Sequence, residues 1–139
     1  MAVEIDVTYL GGMECEAVHG PSGDRLKTDA PVDNGGRGTA FSPTDLVAAA
    51  LATCIVTIMD KVAVRHGWDL RGTCLHVVKE MITGAARQIG ALRVTVRLPK
   101  TRAWSADDLD RLRNAAETCP VKRSLNAQVQ VPLEFLMAE

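Results

Sequence analysis

The residues of this chain most able to do chemistry are its four cysteines, at positions 15, 54, 74 and 119. They form no CxxC pair and have no histidine nearby at the spacing of zinc ligands, so no metal site is predicted. A free thiol becomes a nucleophile once it is ionised, and its surroundings decide how readily that happens. Cys54 and Cys119 are the two whose surroundings leave a chemical role open.

Cys119 comes directly before Pro120, a residue favoured at the first position of a helix. A sulfur at this position can face free backbone N–H groups, and Lys122 and Arg123 follow within one turn. Such surroundings predict a lowered pKa for the Cys119 thiol. A purely structural cap is the alternative interpretation.

Cys54 lies in a long apolar stretch, on the helical face shared with Val47, Leu51 and Ile58. Free cysteine often behaves as a small buried hydrophobe, so the periodicity by itself favours an inert core thiol over a reactive one. Cys15 and Cys74 alternate along predicted strands with no charged neighbour or turn motif. We expect those two to be packing residues.

Three further residues could assist a site. Arg37 lies in a glycine-rich loop, from which it could reach a site or stay solvated. Asp45 stands three residues after Ser42, where its carboxylate can close a capping box, and it is also a candidate catalytic group. His66 is predicted to cap a helix C-terminus, where its cationic form would complement the dipole. A role as a base is the second interpretation.

The elements that position these residues follow from periodicity and turn signals. A helix capped by Ser42 should run from Pro43 to about His66 and stop at Gly67. The other predicted elements are an antiparallel meander over 3–9, 13–18 and 25–29, an irregular connection over 30–41, a hairpin over 68–81 and 88–98, a helix from Ser105 to about Thr118, a short helix at Pro120, and a strand over 128–135.

Composition limits the class of protein. The 139 residues predict one domain over 1–139, and 47% hydrophobic with 24% charged residues is an ordinary globular balance. A net charge of −1 and few aromatic residues argue against nucleic acid. The start of the chain has no signal-peptide pattern, which predicts a cytoplasmic protein.

The long helix sets a second constraint. Its uncharged run from Leu46 to Met59 has 14 residues, fewer than the roughly 20 of a membrane span, so no membrane is predicted. Because the helix is apolar on nearly every face, we expect it to be covered by sheet or by a second subunit.

The order of these parts resembles the OsmC/Ohr family of osmotically inducible and organic hydroperoxide resistance proteins. The resemblance rests on Ser42-Pro43-Thr44-Asp45-Leu46 before a small-residue helix ending in Ala52-Thr53-Cys54, and on Glu117-Thr118-Cys119-Pro120-Val121, with Cys119 65 residues after Cys54. It covers nearly the whole chain and implies an α+β fold. The implied assembly is an intertwined homodimer, with antiparallel sheets from both chains around two long central helices.

The resemblance also implies a chemistry. Cys54 would attack a hydroperoxide and become a sulfenic acid, Cys119 would resolve it as a disulfide, and a dithiol reductant, suspected to be of the lipoyl type, would restore both thiols. No bound cofactor is implied. The alternative is a dimer of the same fold that is redox-inactive or binds a small ligand, and a plain structural module is third.

The sequence departs from typical members of the family around the first cysteine. Those members carry a Glu ten residues before it, where this chain has Thr44, and an Arg near the positions that Met13 and Asp29 occupy here. Arg37, or else Arg25, is predicted to supply the missing cation, with Asp45 or Thr44 orienting it. The chain therefore resembles an OsmC-like branch that lacks the usual activating Arg and Glu.

Overall fold

The computed structural model of the chain describes residues 1–84 and 86–137. Their fold is α+β, with two small sheets and one long helix among the described elements. The chain divides into two compact units, Met1–Val47 and Ala48–Glu139. The single domain over 1–139 stays a prediction.

The N-terminal unit contains the predicted antiparallel meander, formed by β1 (Ile5–Gly11), β2 (Glu14–His19) and β3 (Arg25–Asp29). Alternate residues of a strand share a face. On β1 these are Ile5, Val7 and Tyr9, whose exposed fractions of 60%, 64% and 64% are high for such apolar side chains. One face of this sheet is therefore apolar and uncovered within its own unit.

The connection over 30–41 is irregular as predicted, apart from one 3-10 turn at Val32–Asn34. The chain folds tightly back on itself at Gly36, where a Cβ atom would lie 1.8 Å from the carbonyl oxygen of Ala30. Only glycine fits at this position.

The long helix α1 (Pro43–Arg65) begins and ends as its local sequence predicts. Ser42 Oγ accepts from the Asp45 N–H at 3.1 Å, and Asp45 Oδ2 accepts from the Ser42 N–H at 2.9 Å, which completes the capping box. At the other end Gly67 has a φ of 68°. The Trp68 N–H bonds to the Ala63 carbonyl and the Gly67 N–H to the Val64 carbonyl, a Schellman stop.

The C-terminal unit has a mixed sheet of β4 (Cys74–Ile82), β5 (Gln88–Leu98) and β6 (Leu133–Met137). β4 and β5 form the predicted antiparallel hairpin. The predicted start of its first strand at 68 is wrong, because Trp68 stacks on His66 at 4.6 Å and the chain turns before reaching Cys74. The last strand is shorter than predicted and pairs parallel to β5, so this sheet is not wholly antiparallel.

Two shorter helices follow the hairpin, α2 (Ala106–Glu117) and α3 (Pro120–Ser124). Ser105 and Asp108 form the predicted capping box of α2, and Cys119 is the N-cap of α3. Arg113 of α2 donates from Nη1 to the Leu133 carbonyl at 2.8 Å, which ties this helix to β6.

Only one face of α1 is buried within the chain. Its buried residues repeat every three or four positions and are Ala48, Leu51, Ile55, Met59 and Ala63. They share the core of the C-terminal unit with the buried alternate residues of β5, Leu92, Val94, Val96 and Leu98. The opposite face of α1 is exposed at Ala50, Thr53, Thr57 and Val64. The sequence predicts that α1 is covered on most sides, and this chain by itself covers only one side of the helix.

By length and composition α1 could also cross a membrane, with a mean hydropathy of 1.9 in its most apolar window. The core helix of a globular protein meets the same criterion, so this is weak evidence for a membrane. The exposed apolar face has a different explanation in a second subunit, proposed below.

Candidate functional site

The candidate site of the C-terminal unit is the thiol pair of Cys54 and Cys119, whose side chains lie close enough to interact. Cys54 is half-buried on α1, next to the fully buried Leu51 and Ile55. Cys119 is completely buried between the end of α2 and the start of α3. The structure brings together the two cysteines that the sequence singled out from four.

Backbone hydrogen bonds fix Cys119 in place. Its N–H donates to the Ala116 carbonyl at 3.1 Å, and its own carbonyl accepts from the Arg123 N–H at 3.0 Å. The residue therefore closes α2 and opens α3 at the same time. Its sulfur is held against α1 by two helix ends rather than by a mobile loop.

The predicted lowering of the Cys119 pKa is wrong. Burial raises the pKa of this thiol, and the hydrogen bond with Cys54 and a negative charge on Cys54 raise it further. The N–H groups of Lys122 and Val121 act in the opposite direction, but neither makes a full capping hydrogen bond and they do not offset burial. The positive charge of Lys122 is also balanced, because its ammonium pairs with Glu117.

This arrangement separates the roles of the two thiols. The raised pKa of Cys119 keeps its thiol protonated to higher pH than an ordinary cysteine. Cys54 is also the one of the two that is partly exposed to reagents. A dissolved oxidant would therefore meet Cys54 first.

Arg37 lies in the N-terminal unit, where the structure pairs it with Glu14. Its Nη2 donates to Glu14 Oε1 at 2.8 Å, and the Arg37 side chain is 72% exposed. Its backbone N–H lies 3.4 Å from Oδ1 of Asp29, a carboxylate that is only 1% exposed. Its role toward Cys54 stays a prediction.

Asp29 organises this loop, a role that no sequence pattern predicts. Thr39 donates to Asp29 Oδ2 from its hydroxyl at 2.7 Å and from its backbone N–H at 3.1 Å. These two bonds, the hydroxyl first, hold the pKa of Asp29 below its ordinary value and outweigh its desolvation. A buried aspartate therefore anchors the loop that carries Arg37.

The other candidates have structural roles. Asp45 forms the capping box of α1, and its catalytic role stays a prediction. His66 follows the last residue of α1, where a capping role was predicted, and its ring stacks on Trp68. Cys15 is half-buried in β2 and Cys74 is exposed at the start of β4. Among the described residues, no three His, Cys, Asp or Glu side chains are grouped so that they could hold a metal ion.

A family model for OsmC-like protein matches residues 36–134 of this chain. The chain belongs to the OsmC-like family. The resemblance seen in the sequence is thereby confirmed. This family and the Ohr proteins are associated with hydroperoxide resistance and redox function.

Solved structures of OsmC and Ohr proteins agree with this placement. An osmotic stress induced and detoxification response protein from Psychrobacter arcticus is 33% identical over 95% of this chain and 94% of that chain, with a TM-score of 0.89. Organic hydroperoxide resistance proteins from Legionella pneumophila and Bacillus subtilis are each 19% identical and share the fold, with TM-scores of 0.78 and 0.72. They cover 97% and 98% of this chain and 96% and 98% of their own. No curated sequence matches this chain.

Proposed function

We propose that this OsmC-like protein is a thiol-dependent peroxidase that reduces organic or other hydroperoxides. The observation that carries the proposal is the interacting pair of a half-buried Cys54 and a fully buried Cys119. A disulfide forms only between neighbouring thiols, and Cys54 is the member of this pair that is partly exposed to reagents.

The proposed cycle has three balanced steps. The Cys54 thiolate attacks one oxygen of the O–O bond, which breaks, and the other oxygen takes a proton and leaves as an alcohol. The Cys119 thiol then attacks the Cys54 sulfenic acid, forming the Cys54–Cys119 disulfide and water. A dithiol, proposed to be of the lipoyl type, reduces this disulfide by exchange and leaves as its own cyclic disulfide. The cycle uses no bound cofactor and suits the reducing cytoplasm.

We further propose that Arg37 supports the Cys54 thiolate and that Asp45 orients it. Arg37 carries the charge this role needs, and its pair with Glu14 is exposed enough that exchanging partners would cost little. Arg25, which pairs with Glu16 in the same way, is next in line.

The assembly we propose is a homodimer. The exposed stripe of α1 bears two threonines whose hydroxyls already bond to backbone carbonyls, Thr53 to Ala49 at 2.9 Å and Thr57 to Cys54 at 3.0 Å. What they present outward is therefore largely their methyl groups, suited to close helix packing. The apolar face of β1 also lacks cover within its own unit. A second copy of the chain would bury both surfaces.

Sedimentation at micromolar concentration tests the dimer. We expect twice the mass of the chain, and we expect Val64→Glu to weaken association because it places a charge on the exposed stripe of α1. Glu134→Gln, on an exposed position of β6, is the matched control. A folded wild-type monomer would refute the dimer.

The peroxidase is tested by adding one equivalent of an organic hydroperoxide to the reduced protein. We expect an intramolecular Cys54–Cys119 disulfide by mass spectrometry, no peroxide consumption by Cys54→Ser, and overoxidation of Cys54 in Cys119→Ser. Cys74→Ser removes an exposed thiol outside the pair and should retain full turnover. If wild type reacts no faster than a free thiol at the same pH, the ligand-binding alternative takes the place of the peroxidase.

A further inference from the structure

A cleft of about 550 Å³ runs between the C-terminal half of α1 and α2. Its walls come from two helices of the same compact unit, and its lining includes Ile58, Lys61, Val62, Arg65, Arg111 and Thr118. No sequence pattern predicts this cleft, because its two walls lie about 50 residues apart along the chain.

The cleft is strongly basic. Lys61, Arg65 and Arg111 line it and no Asp or Glu does. Within the described part of the chain, none of these three cations takes part in an ion pair, whereas Arg25, Arg37 and other arginines do. The position of Arg65 is explained by its favourable interaction with the dipole at the C-terminal end of α1. The position of Arg111 is not, because this residue lies on another helix.

The cleft lies on the face of α1 that carries Cys54. Cys54, Ile58, Val62 and Arg65 are spaced by four, four and three residues, so they share one face of α1. On the opposite wall Thr118 directly precedes Cys119. At 1.5 Å per residue, Lys61 lies about 10 Å and Arg65 about 16 Å from Cys54 along the helix axis. Along α1, Ile58 lies between Cys54 and Lys61, and Val62 lies between Lys61 and Arg65.

We propose that this cleft is a subsite for the carboxylate of an amphipathic ligand that reacts at Cys54. The carboxylate lies among Lys61, Arg65 and Arg111, and the aliphatic chain covers Ile58 and Val62. Only the reaction of the ligand at Cys54 rests on the proposed peroxidase function; the binding of its carboxylate does not. The same chemistry could belong to the peroxide that oxidises Cys54 or to the dithiol that reduces the disulfide.

Binding is tested first without any reaction, by calorimetry of decanoate with Cys54→Ser. We expect saturable binding that Arg111→Gln weakens by about three- to fivefold, the effect of one exposed ion pair. Lys100→Gln removes an exposed positive charge outside the cleft and is the matched control. Absence of saturable binding, or equal weakening by both variants, overturns the subsite whether or not the protein is a peroxidase.

Two kinetic arms then distinguish the source of the carboxylate. In the first, Cys54 is oxidised by a medium-chain hydroperoxy carboxylic acid or by its methyl ester; in the second, the disulfide is reduced by dihydrolipoate or by dihydrolipoamide. In one of the two arms, we expect Arg111→Gln to lower the preference for the carboxylate over its uncharged ester or amide by about three- to fivefold. An unchanged preference in both arms overturns the role of the subsite in the reaction. If the wild-type protein binds decanoate but does not react with the hydroperoxide, the peroxidase proposal fails while the binding subsite stands.

Discussion

Cys119 should ionise at higher pH than an ordinary cysteine, and replacing Cys54 by serine lets its ionisation be followed alone. Burial is the first cause of its raised pKa, and Cys54→Ser retains burial. An ordinary thiol with a pKa of about 8.5 is about one-tenth ionised at pH 7.5. Cys119 carries less thiolate than that and is 0% exposed. We therefore expect its alkylation at pH 7.5 to be at least about tenfold slower than that of the exposed Cys74.

The assay measures the rate of iodoacetamide alkylation at each cysteine across the neutral to alkaline range, by peptide mass spectrometry. We expect the midpoint for Cys119 to lie above that of the same residue in urea, where its pKa returns to the ordinary value. A folded midpoint at or below the denatured one would refute the reasoning. In that case the N–H groups at the start of α3 would outweigh burial, and Cys119 would compete with Cys54 for peroxide.

The same shift predicts how stability depends on pH. The folded pKa of Cys119 is raised, so its contribution to stability is fully present below the unfolded value of about 8.5 and is lost as pH rises through the folded value. Cys119→Ala should show a smaller alkaline loss of stability than wild type in thermal unfolding followed by circular dichroism.

Three further outcomes concern the glycine-rich loop of the N-terminal unit. Arg37→Ala should slow the oxidation of Cys54 by about tenfold, which corresponds to one pKa unit of charge stabilisation. An unchanged rate in stopped-flow kinetics would mean that another cation has this role. The hydrogen bonds from Thr39 hold the pKa of Asp29 below its ordinary value, so its stability contribution is present above about pH 3.9 and lost as pH falls; Asp29→Asn should flatten this acid side of a thermal unfolding profile. Gly36→Ala should lower the midpoint of thermal unfolding sharply, because its Cβ would meet a backbone carbonyl at 1.8 Å, and a midpoint equal to that of wild type would contradict the contact.

Helix ends could be predicted from the sequence because their causes are local. The Ser42 and Ser105 capping boxes need only a partner three residues away, and the Gly67 stop needs only a backbone conformation that glycine accepts. The position of Cys119 at a helix start could likewise be read from neighbouring residues, whereas a chemical role for Cys54 was implied only by the family resemblance. The need of α1 for cover also follows from the sequence, since its composition is apolar on nearly every face.

Tertiary structure decided what depends on distant partners. Local residues placed Cys119 at a helix start and favoured thiolate, but burial between α1 and two helix ends reversed that direction. Strand periodicity cannot tell which neighbour a strand joins, so the parallel pairing of β6 with β5 appears only in the fold. The basic cleft has the same origin, because Lys61 and Arg111 face one space only after α1 and α2 pack side by side. The charge of a site and the ionisation of its thiols depend on the residues that are close in space. The order of residues along the chain does not show which residues these are.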